Sequence, residues 1–489
     1  MPLSGGNGRT SPRNEEYNQE DFIMLLSHKT ILLSVCFFLF SCDGSSSNNT
    51  MQITGVVLDS SDPAQAIANA RVQLIDTELQ VFTDAQGSFS IEVTDNVDRE
   101  HLAVLVSAEH YRPRESNVSL QSSTTIGLSP AHSYHYHQPV QLTDGIQTGD
   151  LNSAGLDSTL ISQLMNKTVL ADASAGYQEL HSLLIYKDGV LAVEEYFPGN
   201  NDFIDFNNNI ARISTPAPVQ WGRTDKHYIA SVNKALTATL AGIAFEQFNV
   251  STSDAVAPLL PQQSHFFTDD ANKNALNFHH LLTMQLGFSW DEWGSNDLAL
   301  MWQSTDFTDF LLSRDNLGPQ SAWVYNSASP NMLLKALDNL VPTPIRDWAD
   351  AQFYRKLGIT DYDWRSQPDG LPEGAARMHM RPRDMLKIGI SYLNNGVWQG
   401  EQVIPAQWVE EVAKVQVAGF AGDYSYFFWH RELNGVRYIS ADGDGGQYIN
   451  IFPEQNMVIV MTQGNYLEWP LYVNQADDIM ANYIIPAAY

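Results

Sequence analysis

The chain is 489 residues long, with 44% hydrophobic and 11% aromatic residues, which is enough for a folded core and for two or three domains. Its 27 basic residues stand against 56 acidic ones, a net charge of −29 that repels phosphate backbones, so we expect no nucleic acid as a partner. Cysteine occurs only at Cys36 and Cys42, inside one N-terminal stretch, so the remaining chain has neither a disulfide framework nor a thiolate metal site.

The apolar run from Thr30 to Phe40 marks the N-terminal segment. It is too short to cross about 30 Å of hydrocarbon, but it has the length of a signal-peptide core and is followed by small residues. The string Leu39-Phe40-Ser41-Cys42 resembles a bacterial lipobox, in which the cysteine becomes the lipidated first residue of the mature protein. The alternative is an ordinary secretory signal with an incidental cysteine.

The lipobox resemblance implies a leader over residues 1–41, a diacylated Cys42 and a flexible Gly/Ser/Asn linker over residues 42–50. Membrane contact would then come through the lipid anchor. We expect a location in the bacterial cell envelope, facing the periplasm or the exterior.

Residues 51–128 contain short apolar runs separated by turn residues, with no competing helical period. The pattern predicts a small antiparallel β-sandwich. The phrase from Phe82 to Phe89, with Asp84 and Gly87 in its turn, resembles the signature of carboxypeptidase-regulatory-like modules. That resemblance implies a structural, spacer-like domain.

Residues 129–150 form a predicted linker that contains His132, His135 and His137. Imidazoles at these spacings are compatible with a zinc or copper site. No acidic or cysteine partner lies nearby, however, so we predict no metal and interpret the segment as an exposed aromatic linker.

Residues 151–489 mix hairpins with amphipathic helices. Lys187-Asp188-Gly189 joins two apolar runs and predicts a β-hairpin. Helical patterns follow at about 230–247 and 381–394, strands near 437–440, 448–452 and 458–462, and a last helix at about 473–484. Strands at both ends with helices between them predict one α+β domain, whose terminal strands pair in a single antiparallel sheet.

Chemistry is concentrated at the start of the first long helix, where Ser231 and Lys234 are three residues apart and share one helical face. Of the lysines, only Lys234 has a serine three residues before it, and it is embedded in a run of Ala, Leu and Ile. A serine with a base beside it and free helical N–H groups is suited to acyl transfer. Ser231 as a helix cap, with Lys234 reaching out to water, explains the same residues equally well.

Further stretches follow Ser231-Val232-Asn233-Lys234 in order, at Leu281 to Trp290, at Met380 to Lys387 and at Gly396 to Gly400. From about Gly149 to Tyr489 this series resembles the class C β-lactamase-like serine hydrolases, which include carboxylesterases, D-amino-acid peptidases and aminohexanoate-dimer hydrolases. The resemblance implies a β-lactamase/transpeptidase-like fold, no cofactor, Ser231 as nucleophile and Lys234 as its base.

The second family element is Tyr-x-Asn or Tyr-x-Ser, and Tyr325-Asn326-Ser327 matches it. The resemblance implies that Tyr325 relays the proton to the leaving group and that Ser327 contacts substrate. Other tyrosines share the spacing, but Tyr325 precedes a loop that opens a helix. A core aromatic residue is the alternative.

The third family element, Lys-Thr-Gly or His-x-Gly, is matched on a late strand by Asp444-Gly445-Gly446. The resemblance implies that these residues line the substrate and that the backbone N–H groups of Ser231 and Gln447 form the oxyanion hole. Asp444 stands where the family has a cation, which disfavours anionic substrates, and the neighbouring Asp442 is expected to add to the effect. A Gly-rich hairpin turn is the alternative, whereas a calcium loop lacks its final Glu because Pro453 stands there.

We therefore expect an extracytoplasmic serine hydrolase that cleaves a small-molecule or peptide-like ester or amide through an acyl-enzyme on Ser231. The alternative is a surface lipoprotein whose degenerate hydrolase domain binds a cell-wall or peptide ligand without turnover. The sequence leaves the natural substrate and the oligomeric state open.

Overall fold

The structure is a computed structural model that describes residues 51–93, 102–169, 176–206, 210–215, 217–319, 322–418 and 422–489. The predicted leader, the Cys42 lipidation site and the linker over residues 42–50 lie outside these residues. Among the described residues, no helix combines the length and the apolar character needed to cross a membrane.

The first part of the described chain is a two-sheet β module. One sheet has the strand order β4-β1-β7 and the other the order β3-β2-β5-β6. In β4 the buried side chains of Phe89, Ile91 and Val93 alternate with exposed ones, the pattern of a strand with one face on a core. The strands are β1 (Met51–Asp59), β2 (Arg71–Leu74), β3 (Gln80–Phe82), β4 (Ser88–Val93), β5 (Ala103–Ser107), β6 (Arg114–Asn117) and β7 (Thr124–Leu128).

The predicted sandwich is confirmed as a β module, but two features of it were not predicted. Strands β3, β6 and β7 are short and partly exposed, so their apolar runs are too weak to read from sequence. Strand β7 also pairs with β1 in parallel, with Gly55 opposite Thr124, so the module is not wholly antiparallel. Pairing direction depends on the chain path, which periodicity does not encode.

The segment from 129 to 150 is not the exposed linker that the sequence suggested. Tyr134 and Val140 are buried, and the Tyr136 hydroxyl donates to the Ala192 carbonyl at 2.9 Å. The three histidines have separate neighbours: His132 contacts the Val169 carbonyl, His135 contacts Ser129, and His137 lies 3.9 Å from Glu195. The segment packs along the hydrolase part of the fold.

Residues beyond 150 form the α+β domain that the sequence predicts. Its main sheet is antiparallel throughout, in the order β19-β20-β21-β22-β23-β8-β9. The first strand of the domain, β8, therefore pairs with the last one, β23, and β9 pairs with β8 at the sheet edge, so the two ends of the domain share one sheet as expected. The strands are β8 (Leu180–Lys187), β9 (Val190–Tyr196), β10 (Pro198–Asn200), β11 (Phe203–Asp205), β12 (Ala211–Ile213), β13 (Pro218–Gln220), β14 (His227–Tyr228), β15 (Asp363–Trp364), β16 (Met378–Met380), β17 (Val397–Trp398), β18 (Glu401–Gln402), β19 (Asp423–Ser425), β20 (Phe428–Leu433), β21 (Val436–Gly443), β22 (Gln447–Phe452) and β23 (Met457–Gln463).

Helices cover both faces of this sheet. The α-helices of the domain, some of which pack on other helices, are α1 (Ser158–Thr168), α2 (Val232–Phe248), α3 (Ser264–Thr268), α4 (Ala271–Asn274), α5 (Phe278–Leu282), α6 (Asp297–Gln303), α7 (Phe307–Leu312), α8 (Ala328–Leu340), α9 (Ile345–Ala349), α10 (Pro382–Leu393), α11 (Ala406–Val412), α12 (Leu471–Ile479) and α13 (Ile485–Ala487). The last predicted helix thus ends at Ile479 and continues as a π-helical turn over Met480–Ile484.

Alternate residues of the sheet strands enter two different cores. Leu183 and Ile185 face the core that includes residues of α1 and α12, whereas Leu184 faces the core of α2, α8 and α10. Helix α10 approaches the sheet closely at Gly389, because a Cβ there would lie 2.5 Å from Val458 Cγ1. The result is a three-layer arrangement with the sheet in the middle.

Ion pairs connect the β module and the linker to the domain. Arg112 lies 3.2 Å from Glu195, and Arg223 is paired with Glu115 at the same distance. The buried Arg383 guanidinium donates to the Glu194 carboxylate and to the Val140 carbonyl, at 2.9 and 3.0 Å. These pairs are buried or half-buried, so removing one partner would leave an uncompensated charge.

Candidate active site

A tight turn leads into α2 and presents Ser231. Strand β14 ends at Tyr228, and Ala230 adopts a left-handed φ of 46°, a backbone conformation that non-glycine residues rarely adopt. The N–H groups of residues 232, 233 and 234 donate to the carbonyls of residues 229, 230 and 231. Among the described residues, the N–H of Ser231 has no acceptor, so it is available to an oxyanion.

Lys234 is in direct contact with Ser231. Its Nζ lies 2.8 Å from Ser231 Oγ, and the lysine side chain is 1% exposed. Ser231 makes no side-chain capping bond, although it stands at the N-cap position. The alternative of a capping serine with a lysine in water is therefore wrong.

A loop over residues 373–376 holds the polar face of α2. Asn233, Lys234 and Thr237 all donate to carbonyls of this loop, and Lys234 Nζ lies 3.2 Å from that of Ala375. Asn331 of α8 positions the loop by bonding the Gly374 N–H and the Glu373 carboxylate. No sequence pattern predicts this loop, because backbone carbonyl acceptors leave no side-chain signature.

Tyr325 stands next to the serine and lysine. Lys234 Nζ lies 4.9 Å from the centroid of its ring. The ring is stacked between Trp293, at 5.9 Å, and Trp429, at 6.1 Å, with Trp323 at 6.3 Å. Trp293 is 74% exposed, so this aromatic wall opens to solvent. The structure thus brings together all three residues that the sequence proposed as catalytic.

Ser327 has a different environment from the one predicted for a substrate contact. It is 2% exposed, and its hydroxyl donates to the carboxylate of Glu292. Glu292 Oε2 also accepts from the Ser327 N–H at 3.0 Å and from Trp290 Nε1 at 2.8 Å. Burial raises the pKa of Glu292, and the charge of Lys234 opposes that rise. Glu292 was not predicted from the sequence. The signal that could have found it is its place, a glutamate only a few residues after an apolar run.

The Asp444-Gly445-Gly446 turn joins β21 to β22. Gly445 and Gly446 have φ values of 77° and 93°, and Cβ atoms there would lie 2.4 Å from Tyr466 and from Gln463. Tyr466 and Gln463 therefore occupy the positions where side chains on these two glycines would stand, and the contact of this turn with substrate stays a prediction. Asp444 Oδ2 accepts from the Leu467 N–H at 2.9 Å, and burial raises the pKa of Asp444.

Gly443 is the residue of this hairpin that lies against the nucleophile turn. A Cβ on Gly443 would be 2.4 Å from the Ile229 carbonyl oxygen and 3.3 Å from Ala230 Cβ. Gln447 stands opposite Gly443 in the ladder, and its side chain donates to the Gln463 carbonyl. The role of the Gln447 N–H in an oxyanion hole stays a prediction.

A buried polar chain runs behind the nucleophile turn, and the sequence analysis did not find it. Glu179 contacts His181 Nε2 at 3.0 Å, His181 Nδ1 contacts His227 Nε2 at 2.7 Å, and His227 Nδ1 contacts the Tyr466 hydroxyl at 3.0 Å. Burial lowers the pKa of both histidines. The residues are far apart in sequence, so no sequence motif predicts that they are in contact.

The comparisons with known proteins agree with this geometry. A family profile described as Beta-lactamase matches residues 166–473. Among solved structures, a putative 6-aminohexanoate-dimer hydrolase from Bacillus anthracis is 16% identical with a TM-score of 0.51, over 71% of this chain and 87% of that one. The hydrolase EstCE1, which has promiscuous acyltransferase activity, is 15% identical with a TM-score of 0.51, over 66% and 98%. Simvastatin synthase (LovD) from Aspergillus terreus is 14% identical with a TM-score of 0.50, over 68% and 99%.

The fold and the family profile define the class of this protein. The chain belongs to the Beta-lactamase family, within the β-lactamase-like serine hydrolase superfamily, and it has the β-lactamase/transpeptidase-like fold. A comparison with curated proteins gives no match. The likeness of the β module to carboxypeptidase-regulatory-like domains stays a prediction.

The histidines around the nucleophile turn predict a pH dependence of stability. His379, opposite Tyr228 in the β14–β16 pair, has its pKa lowered from 6.5 to about 4, chiefly by burial. The unfolded chain therefore binds more protons below pH 6.5, so stability is present above that pH and is lost as the pH falls. The loss at pH 5.5 is about 1.4 kcal/mol for such a histidine.

We expect the free energy of unfolding in urea to fall less between pH 7.5 and 5.5 in His379→Gln than in the wild type, by about 1 kcal/mol. Exposed His110 provides the matched control, and His110→Gln should follow the wild type. An equal fall in His379→Gln and the wild type would contradict this prediction.

Proposed function

We propose that the protein is a serine hydrolase that cleaves esters or amides through an acyl-enzyme on Ser231. The observation that carries the proposal is the 2.8 Å contact between Lys234 Nζ and Ser231 Oγ at the start of α2. A hydroxyl becomes an effective nucleophile when an adjacent base removes its proton. The contact favours this function over a hydrolase domain that only binds ligand.

In acylation, neutral Lys234 takes the proton of Ser231 while Oγ forms a bond to the substrate carbonyl carbon. The Ser231 N–H and a second donor from the β21–β22 hairpin, predicted as that of Gln447, stabilise the oxyanion. The carbonyl then reforms, and the bond to the leaving alcohol or amine breaks.

Tyr325 is proposed to carry the proton from Lys234 to the leaving group. Its ring centroid lies 4.9 Å from Lys234 Nζ, and the flanking Trp293 and Trp429 fix the plane of the ring. Water then attacks the acyl-enzyme, giving up a proton by the same route in reverse, and releases the acid. The route needs no cofactor.

The first test is covalent labelling of the full chain by a fluorophosphonate probe. We expect labelling of Ser231, its loss in Ser231→Ala, and a fall in ester hydrolysis of at least about 10³-fold in that variant, because the Ser231 hydroxyl is the one hydrogen-bonded to Lys234. Exposed Ser253 is a matched control, and Ser253→Ala should label like the wild type.

Two results would contradict the proposal. One is labelling of Ser231→Ala at the wild-type level. The other is a wild-type protein that neither labels nor hydrolyses short-chain aryl esters, which would favour the non-catalytic alternative.

The surroundings of the site support a preference for neutral, apolar acyl groups. Trp293 and Trp429 offer aromatic faces beside Tyr325, and Asp444 stands where relatives are expected to carry a cation. Burial, Glu373 and Asp444 together raise the pKa of Tyr228, so the charge of Asp444 reaches the turn before Ser231. Asp442, which was also expected to repel anions, is instead paired with Arg431. Its charge is compensated.

We expect the wild type to hydrolyse a neutral aryl ester with a higher kcat/KM than a penicillin-type chromogen. Like charges about 4 Å apart repel by ~1 kcal/mol in water and ~4 kcal/mol at an effective dielectric of 20. Asp444→Asn should therefore raise the anionic-to-neutral ratio of kcat/KM by about tenfold or more. Glu468→Gln, in a more exposed acid, should leave the ratio unchanged. A wild type that prefers the anion, or an unchanged ratio in Asp444→Asn, would contradict this.

We further propose that the mature chain begins at a diacylated Cys42 and that the β module over residues 51–128 separates the anchor from the hydrolase domain. Support comes from the lipobox-like string and from the strongly acidic composition, since a net charge of −29 offers no other attraction to anionic lipid.

Mass spectrometry of membrane-extracted protein should reveal an acylated peptide that begins at Cys42. Cys42→Ser should move the protein from the membrane fraction to the soluble one, whereas Cys36→Ser, in the same apolar run, should not. Recovery of the Thr30 to Phe40 segment in the mature product would contradict the proposal.

A further inference from the structure

Glu292 is a buried carboxylate near the site that the proposed mechanism does not use. It is 6% exposed and lies after the Trp290 turn, in the segment that leads to α6. A carboxylate in such surroundings is stable only when its oxygens accept hydrogen bonds or face a positive charge. The structure supplies both.

Hydrogen bonds fix the carboxylate on the loop that follows Tyr325. Both the hydroxyl and the N–H of Ser327 donate to Glu292, and Trp290 Nε1 donates from the other side at 2.8 Å. Asn326 accepts from the N–H groups of Ala328 and Ser329 at 2.8 and 3.1 Å. The position of Tyr325 thus depends on a loop whose next two residues are both immobilised.

The positive charge is that of Lys234. Its Nζ lies 4.9 Å from the centroid of the Tyr325 ring, two residues before Ser327, and its charge opposes the rise in the pKa of Glu292 that burial causes. Among the described residues, Lys234 has no carboxylate within salt-bridge distance, so its charge is balanced at longer range. Glu373, the other buried carboxylate near α2, already accepts from the N–H groups of Ala375 and Ala376. Tyr424 is a further neighbour, because burial, Tyr325, Asp442 and Glu292 raise its pKa.

We propose that Glu292 is a positioning residue for the serine–lysine pair: it holds the Tyr325–Ser327 loop and balances the ammonium that Lys234 acquires when it takes the serine proton. The inference rests on the proposed function. It assigns Ser327 to the support of Glu292 and not to substrate, and it explains why a Tyr-x-Ser sequence has a buried serine.

The first experiment is a double-mutant cycle on thermal unfolding of the full chain, which needs no catalytic activity. We compare the wild type, Lys234→Met, Glu292→Gln and the double variant at pH 7. A buried charge without its partner is costly, so Glu292→Gln should lower Tm less in the Lys234→Met background, by about 3 °C or more. Asp384, a buried carboxylate paired with Lys387, is the matched control, and Asp384→Asn should be additive with Lys234→Met.

The second experiment is the pH profile of kcat/KM for a neutral aryl ester. Without the negative charge, the ammonium form of the lysine is less stable. In Glu292→Gln the acidic limb of the profile, where kcat/KM falls as the pH is lowered, should therefore move to lower pH by about one unit. Glu292→Asp should restore the limb. Ser327→Ala, which keeps the carboxylate, should lower kcat and leave the limb in place.

The two experiments separate the two proposals. Additive Tm values in the cycle, or an unmoved acidic limb in Glu292→Gln, overturn the role of Glu292 while the serine hydrolase stands. A wild type that fails to label at Ser231 overturns the hydrolase, and the cycle still reports whether Glu292 and Lys234 are coupled.

Discussion

The burial of one amine in the first turn of a buried helix is the constraint on which the site depends. Helix α2 is buried along nearly its whole length, and Lys234 lies in its first turn. An amine in such a place needs partners, because an unpaired polar group costs several kcal/mol when it leaves water. Ser231 Oγ and the Ala375 carbonyl are those partners at contact distance. The loop over residues 373–376, which Asn331 holds in place, turns its carbonyl groups to the helix because the helix presents polar donors there.

The antiparallel sheet brings the other half of the site to this helix. The β21–β22 hairpin lies about 200 residues after Ser231 in the chain, yet Gly443 fits against Ile229 and Ala230 with no room for a side chain. Pairing of β23 with β8 joins the two ends of the domain in one sheet and fixes that hairpin in place. A shift of β21 by one residue would put a side chain against the Ile229 carbonyl. The shape of the oxyanion region therefore depends on the register of the sheet.

Local patterns predicted the parts that depend on local forces. The Asp188-Gly189 turn, the apolar helix after Ser231 and the Ser231–Lys234 spacing are all short-range features, and the structure contains each of them. Interactions between distant segments were predicted poorly. Asp442 was expected to add to the charge of Asp444, but Arg431 on the neighbouring strand neutralises it. Ser327 was expected to meet substrate, but Glu292 from another segment buries it. A charged group or hydroxyl whose partner lies on a distant segment leaves no periodic pattern in the sequence, so such a pair cannot be predicted from local patterns.

Burial lowers the pKa of both histidines in the buried chain behind the nucleophile turn, and neutral imidazoles fit its contacts when both donate in the same direction. Glu179 accepts from His181 Nε2–H, which leaves His181 Nδ1 to accept from His227 Nε2–H. His227 Nδ1 is then an acceptor for the Tyr466 hydroxyl, which also lies 3.1 Å from the Tyr228 carbonyl. Tyr466 in turn packs where a side chain on Gly445 would stand. The chain therefore connects β8, the turn before Ser231 and the corner of the β21–β22 hairpin. With His227 in this tautomer, a second proton on His181 would place His181 Nδ1–H and His227 Nε2–H against each other as two donors. The neutral state of His181 and the shape of the nucleophile turn are therefore physically linked.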